Sequence, residues 1–171
     1  MDAAVRRSHE KRLAREAAEY NALPLVKEYP GGYTWRDLTS EDPAQLKKIL
    51  SREGDIMQNC IGGYCDDMMD EGIKLYSLRG KSGEPHVNIE VRPSEQYGEA
   101  PYIYQIKGKQ NAAPTEDYIP YVQDFIRSQG PFSRIHDLGN AGMLDVQRAR
   151  DIGLFEERDP EISRELRRIF P

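Results

Sequence analysis

Two groups of residues in this 171-residue chain carry recognisable chemistry. The first is a thiol in a glycine turn, Asn59-Cys60-Ile61-Gly62-Gly63-Tyr64. Cys60 falls near the expected start of a helix, where exposed amides and the helix dipole lower a thiol pKa. Gly62 and Gly63 would let a ligand or another backbone approach closely. His86 begins a downstream strand, and Gln105 or Asn111 could orient its ring, which makes Cys60 a candidate nucleophile and His86 its base. The second group is Lys107-Gly108-Lys109-Gln110-Asn111, a short basic segment leaving a strand. Backbone amides and a lysine can hold a phosphate there. The Gly-x4-Gly-Lys-Ser/Thr spacing of a P-loop is missing. Arg79 would add a fork-shaped partner for phosphate or carboxylate. The plainer readings are a small buried thiol and a solvated turn.

No metal site and no cofactor are expected. Cys60 and Cys65 are separated by four residues, outside the usual zinc spacings, and five positions apart on a helix they share a face poorly. His9 lies in a charged helix and His136 in a looser tail, neither with a convincing partner. Charged residues make up 31% of the chain with signs mixed, and the net charge is -5. That argues against broad electrostatic capture of nucleic acid or anionic membrane, although a local basic patch is compatible with it. Two thiols, no apolar leader and no apolar run of about 18–20 residues point to a reducing compartment, the cytoplasm by default, and to no membrane.

These residues must be positioned by a modest set of elements. Residues 3–20 read as a charged helix with a thin apolar stripe, an arm on its own surface or one docked on a partner. Tyr33–Leu38 reads as a short strand. Asp42-Pro43 starts a helix that carries Leu46, Ile49 and Leu50 inward and stops at Gly54. Residues 56–70 read as a second helix closed by Gly72. Strands follow at 73–79, 85–92 and 102–107. Residues 81–84 form a turn, and 93–101 a longer connection. Residues 115–129 form the clearest helix, ended by Gly130, and Asp159-Pro160 starts a short last helix. The expected fold is α+β: a three- or four-stranded antiparallel sheet with helices packed on one face. Residues 1–22 are the helical arm, 23–130 the core and 131–171 an irregular extension.

Strand alternation divides the sheet into two faces. Val87, Ile89 and Val91 point one way, and His86, Asn88 and Glu90 the other. Ile103, Gln105 and Lys107 oppose Tyr102, Tyr104 and Ile106. The polar face would gather His86, Asn88, Glu90, Gln105 and Lys107, and with the cysteine turn it would make 56–111 one polar-faced unit.

The order of Cys60, His86 and Gln105 follows that of papain-like and NlpC/P60-like cysteine hydrolases. A broader resemblance lies in four segments: Asn59–Tyr64, Ile73–Arg79, Glu84–Val91 and Ile103–Asn111. In order and spacing they resemble the PcfJ-like family of conjugative-plasmid and bacteriophage proteins, over roughly residues 56–127. The resemblance implies a mobile-element origin and no particular reaction. It directs attention to Cys60, Gly62, Gly63, Tyr64, Arg79, Glu90, Gln105, Lys107, Gly108 and Asn111. The chain departs from the family pattern at Asn59, His86 and Asn88, so the resemblance does not make His86 an obligatory base.

The expected function is that of a phage or plasmid accessory protein whose polar sheet face binds a phosphate-bearing ligand, a nucleotide or a nucleic-acid end. Two alternatives stand beside it. One is a cysteine-dependent hydrolase or transferase using Cys60 and His86. The other is a protein-binding module aimed at a host defence or replication protein, with the N-terminal helix offered to a host or phage partner.

Overall fold

The structure is a computed structural model, which describes residues 2–63 and 65–143. The expected last helix from Asp159 and the turn residue Tyr64 lie outside the described residues. The α+β class is observed. Five antiparallel strands form a meander in sequence order: β1 (Leu25–Glu28), β2 (Thr34–Asp37), β3 (Lys74–Arg79), β4 (Pro85–Arg92) and β5 (Tyr102–Lys107). The sheet thus has five strands where three or four were expected. Leu25–Glu28 is only four residues long and sits between Pro24 and Pro30, too short for alternation to announce it. The helices are α1 (Ala3–Asn21), α2 (Pro43–Met57), α3 (Cys65–Glu71) and α4 (Ile119–Gln129). No described helix is long and apolar enough to cross a membrane.

Helices cover both faces of the sheet, which corrects the expectation of one covered face. On one side, Trp35, Leu78, Val87, Ile89 and Ile106 pack with Val122 and Phe125 of α4. Trp35 is fully buried, meets Phe125 at a tilt with centroids 4.9 Å apart, and donates from Nε1 to the Tyr121 carbonyl at 3.2 Å. On the other side, Leu75 and Ile73 pack under Leu46, Ile49 and Leu50 of α2, with Ile61 and Met68 beside them. That second side is the polar face, and the helix over it buries it.

Helix α2 starts as its sequence requires. Asp42 is extended and its Oδ1 accepts from the Ala44 amide at 3.0 Å, with Pro43 in the first turn. Asp42→Ala should cost about 1 kcal/mol, the usual worth of an N-cap. Urea denaturation would show it as a lower midpoint at unchanged slope. The helix does not stop at Gly54 but runs on to Met57 and ends at Gln58, which is left-handed. Gly54 serves packing. A Cβ there would sit 2.8 Å from the Gly62 amide nitrogen. The expected helix over 56–70 is accordingly broken into a tight 3-10 turn, Cys60–Gly63, and the short α3. The expected helix over 115–129 likewise opens as a 3-10 turn at Glu116–Tyr118 before α4.

Two bulges reset the alternation. Leu78 pairs with Val87 but Arg79 pairs with Pro85, leaving His86 as the extra residue. Glu90 pairs with Gln105 but Val91 pairs with Ile103, leaving Tyr104 extra. A bulge puts two neighbours against one partner, so the faces of the strand shift by one. Ile103 therefore joins Ile106 in the α4 core, against the expected split. Residues 131–137 then run along β5, with Ile103 donating to the Arg134 carbonyl at 3.1 Å and accepting from the His136 amide at 2.9 Å. Ala141 and Met143 close the α4 core, so the start of the expected extension belongs to the packed fold.

Candidate functional site

The polar face is a connected network centred on Glu53, a residue that motif reading passed over. Glu53 is fully buried. Its Oε2 accepts from Arg79 Nη2 at 2.8 Å and its Oε1 from Asn88 Nδ2 at 2.7 Å. Asn88 Oδ1 in turn accepts from Asn59 Nδ2 at 2.9 Å, and Asn59 Oδ1 accepts from the Ile61 amide at 3.2 Å. A chain of bonds thus runs from β3 and β4 through α2 into the cysteine turn. One signal could have found Glu53: it shares the spacing of Leu46, Ile49, Leu50 and Met57, the buried stripe of α2.

This network changes the standing of Arg79. It is 1% exposed and its guanidinium is bound to Glu53 and to Ser77 Oγ at 3.3 Å. It neutralises a buried carboxylate and is not presented to a ligand in solvent. Glu90 is similarly buried and accepts from Gln105 Nε2 at 3.0 Å and from Arg92 Nε.

Several of the expected residues do converge. Glu90, Gln105, Lys107 and Asn111 line one crevice with Asn59 and Asn88. Its volume is about 10 Å³, the space of roughly one water. A nucleotide does not fit it. Lys107 stands 3.7 Å from Asp137. Gly108 is needed where it is, since a Cβ would meet the Ala113 carbonyl oxygen at 3.0 Å. Gln110 and Asn111 are both left-handed, and Gln110 Nε2 donates to Gln58 Oε1 at 2.9 Å, which ties this turn to the end of α2.

The remaining candidates are separated from this crevice. The His86 ring stacks on Tyr118 at 4.4 Å and lies 3.4 Å from Glu84 Oε1. Tyr118 packs with the α4 core, whereas the Cys60–Gly63 turn packs against α2 through Ile61. The bulge at His86 is the physical reason: it turns the ring away from the face of Asn88 and Glu90. The Cys60 side chain and Tyr64 lie outside the described residues. The Gly62 backbone is approached by Gly54, and a Cβ on Gly63 would meet nothing within 4 Å. Among the described residues no group of three His, Cys, Asp or Glu side chains could hold a metal ion.

Beyond the cover of α2, the far ends of β4 and β5 carry a different pattern that motif reading missed. The Arg92 guanidinium lies 3.6 Å over the Tyr104 ring, and that of Arg134 lies 4.1 Å over Tyr102. The His136 ring stands between them, 5.6 Å from Tyr102 and 5.9 Å from Tyr104. Two guanidiniums thus flank three rings in one ladder, each at a distance typical of cation–π contact with its tyrosine. Arg134 and His136 are exposed and Tyr104 is 38% exposed, whereas Tyr102 is buried beneath them. Burial by itself would lower the Arg92 pKa, but the Glu90 hydrogen bond and charge outweigh it and the net shift is upward. Sequence spacing could not show the ladder, because Arg134 and His136 come from the segment laid along β5.

No protein-family model matches this chain, and no curated protein matches it. The PcfJ-like resemblance rests on its four segments.

Proposed function

We propose that this protein is a non-catalytic accessory protein, of phage or plasmid origin, that binds a phosphate-bearing ligand on the open part of its polar sheet face. The ligand we favour is a nucleic-acid end in single-stranded form. The observation that carries this reading is the ladder of Arg92, Tyr104, His136, Tyr102 and Arg134. Proteins that take single strands without strong sequence preference combine cations that follow the backbone with aromatic rings on which bases stack. Arg134 has no carboxylate at ion-pair distance among the described residues, so its charge is available to a phosphate. Lys107 and Lys109 lie farther along the same strand and the turn after it. A local basic strip of this kind is compatible with a net charge of -5.

The cysteine-hydrolase alternative receives no support from the His86 ring, which is engaged by Tyr118 and Glu84. The test of the favoured reading is fluorescence anisotropy with a labelled oligothymidylate at low salt. Tyr104→Ala should weaken binding on the order of tenfold, one lost stack being worth about 1–3 kcal/mol. Arg134→Glu should weaken it further and flatten the dependence on salt. Binding that ignores both substitutions, or no binding at low salt, would overturn the reading.

A further inference from the structure

A hollow far larger than the polar crevice lies on the opposite side of the sheet, where α4 ends against the start of β3 and the end of β4. Its volume is about 530 Å³, within the usual range for small-molecule sites, roughly 300–1,000 Å³. Three rings, Tyr76, Phe125 and Phe132, stand in its lining beside Val91, Pro93 and Pro101. Tyr76 and Phe125 have centroids 5.0 Å apart and tilted by 56°, and Phe125 and Phe132 lie 6.3 Å apart and nearly parallel at 15°. The connection after β4 walls the other side. Ser94 Oγ donates to Glu99 Oε2 at 2.7 Å across its base, and Gly98 is left-handed at φ 77°. At the rim of this wall Tyr97 is wholly exposed.

The charges in the lining set the ligand. Burial, and then the nearby Asp37 carboxylate, push the Tyr76 pKa up to about 12, so this ring brings no charge to the lining. Arg92 is engaged by Glu90. Lys74, one strand position pair before Tyr76 on the same face, is exposed and has no carboxylate at ion-pair distance among the described residues. The one carboxylate in the lining, Glu99, is held by Ser94 on the loop wall.

We propose that this cleft is a binding site for a small flat aromatic molecule bearing one anionic group, with the ring on the partly exposed Tyr76 and Phe132, which the buried Phe125 backs, and the anion at Lys74. Tyr97 adds a second aromatic surface from the rim. The rings of the cleft lie on the other face of the sheet from the rings of the cation–aromatic ladder, and the two sites share Arg92 at their edge.

The experiment titrates the full chain with 2-naphthoate and with its neutral counterpart 2-naphthylmethanol, following backbone amide shifts by NMR. Both ligands should move the amides around Tyr76, Phe125 and Phe132. Naphthoate should bind roughly fivefold more tightly, as befits one ion pair at a partly exposed site. Lys74→Ala should abolish that preference and leave the affinity for the neutral ring unchanged, whereas Glu99→Gln should increase it. Tyr97→Ala should weaken both ligands by about three- to tenfold, the worth of one aromatic contact. Lys74, Glu99 and Tyr97 are all exposed, so these variants should keep the amide spectrum elsewhere unchanged. Absence of shifts at the cleft with either ligand, or a naphthoate preference that survives Lys74→Ala, would overturn the proposal.

Discussion

Arg79→Ala is expected to destabilise the fold by about 3–5 kcal/mol, the cost of removing one partner from a buried ion pair. Arg79 is 1% exposed and Glu53 fully buried, and the two meet at 2.8 Å. Taking away the guanidinium leaves the carboxylate in the interior without that cation, and a void where a large side chain stood. Asn88 donates to the same carboxylate and Asn59 donates to Asn88, so the loss should spread to the cysteine turn. The size of the single-variant effect does not measure the worth of the pair, because much of it is the penalty on the charge left behind. The double variant Glu53→Gln with Arg79→Met separates the two. Glutamine keeps an acceptor for Asn88 and methionine fills much of the arginine stem. The double variant should recover most of the stability lost by Arg79→Ala. Urea denaturation with matched slopes is the measurement. A loss under about 1 kcal/mol for Arg79→Ala, in the range of an exposed pair, would show that water reaches Glu53.

Gly54→Val is expected to cost about 3 kcal/mol, at the upper end of ordinary overpacking. Inside most helices a glycine is a weakness, and Gly→Ala stabilises by up to about 1 kcal/mol. Here the sign should reverse even for alanine. A Cβ at Gly54 would stand 2.8 Å from the Gly62 nitrogen and 3.2 Å from its Cα, and both are backbone atoms that cannot rotate aside. Valine adds two methyl groups to that clash. The turn Cys60–Gly63 would have to lift off α2, and amide exchange in 59–63 should accelerate before the sheet is affected. A Gly54→Ala variant more stable than the parent would show that the turn has room to yield.

Much of the architecture was legible beforehand. Strands 85–92 and 102–107 coincide with β4 and β5, and Asp42-Pro43 marks the start of α2. These signals are local. A cap, a proline and a run of β-branched and aromatic residues act within a few positions of themselves. Gly54 shows where local reasoning turns misleading. A glycine is a fair sign of a helix end, but this one admits the backbone of a residue eight positions away.

The candidate site was legible in its residue types and not in its use. Asn59, Asn88, Glu90, Gln105, Lys107 and Asn111 do meet, as polar residues on neighbouring strands should. Which of them would reach solvent depended on what lay over the sheet, and an alternating strand carries no statement about its cover. The amphipathic stripe of α2 includes Glu53, so the helix can bury a polar face by matching its groups. His86 and Tyr104 were misassigned for a related reason. A bulge is a property of two paired strands, and neither strand contains the register by itself.

The amino-acid sequence therefore determined the α+β class, the main strands, the capped start of α2 and the amide-rich character of one sheet face, because each rests on short-range preference or on alternation. Only the tertiary structure decided that α2 closes over that face, that Arg79 serves Glu53, that His86 turns toward Tyr118, and that Arg92, Tyr104, His136, Tyr102 and Arg134 line up in one ladder. Each of these depends on contacts between segments distant in the chain, and pairing geometry and burial exist only once those segments have met.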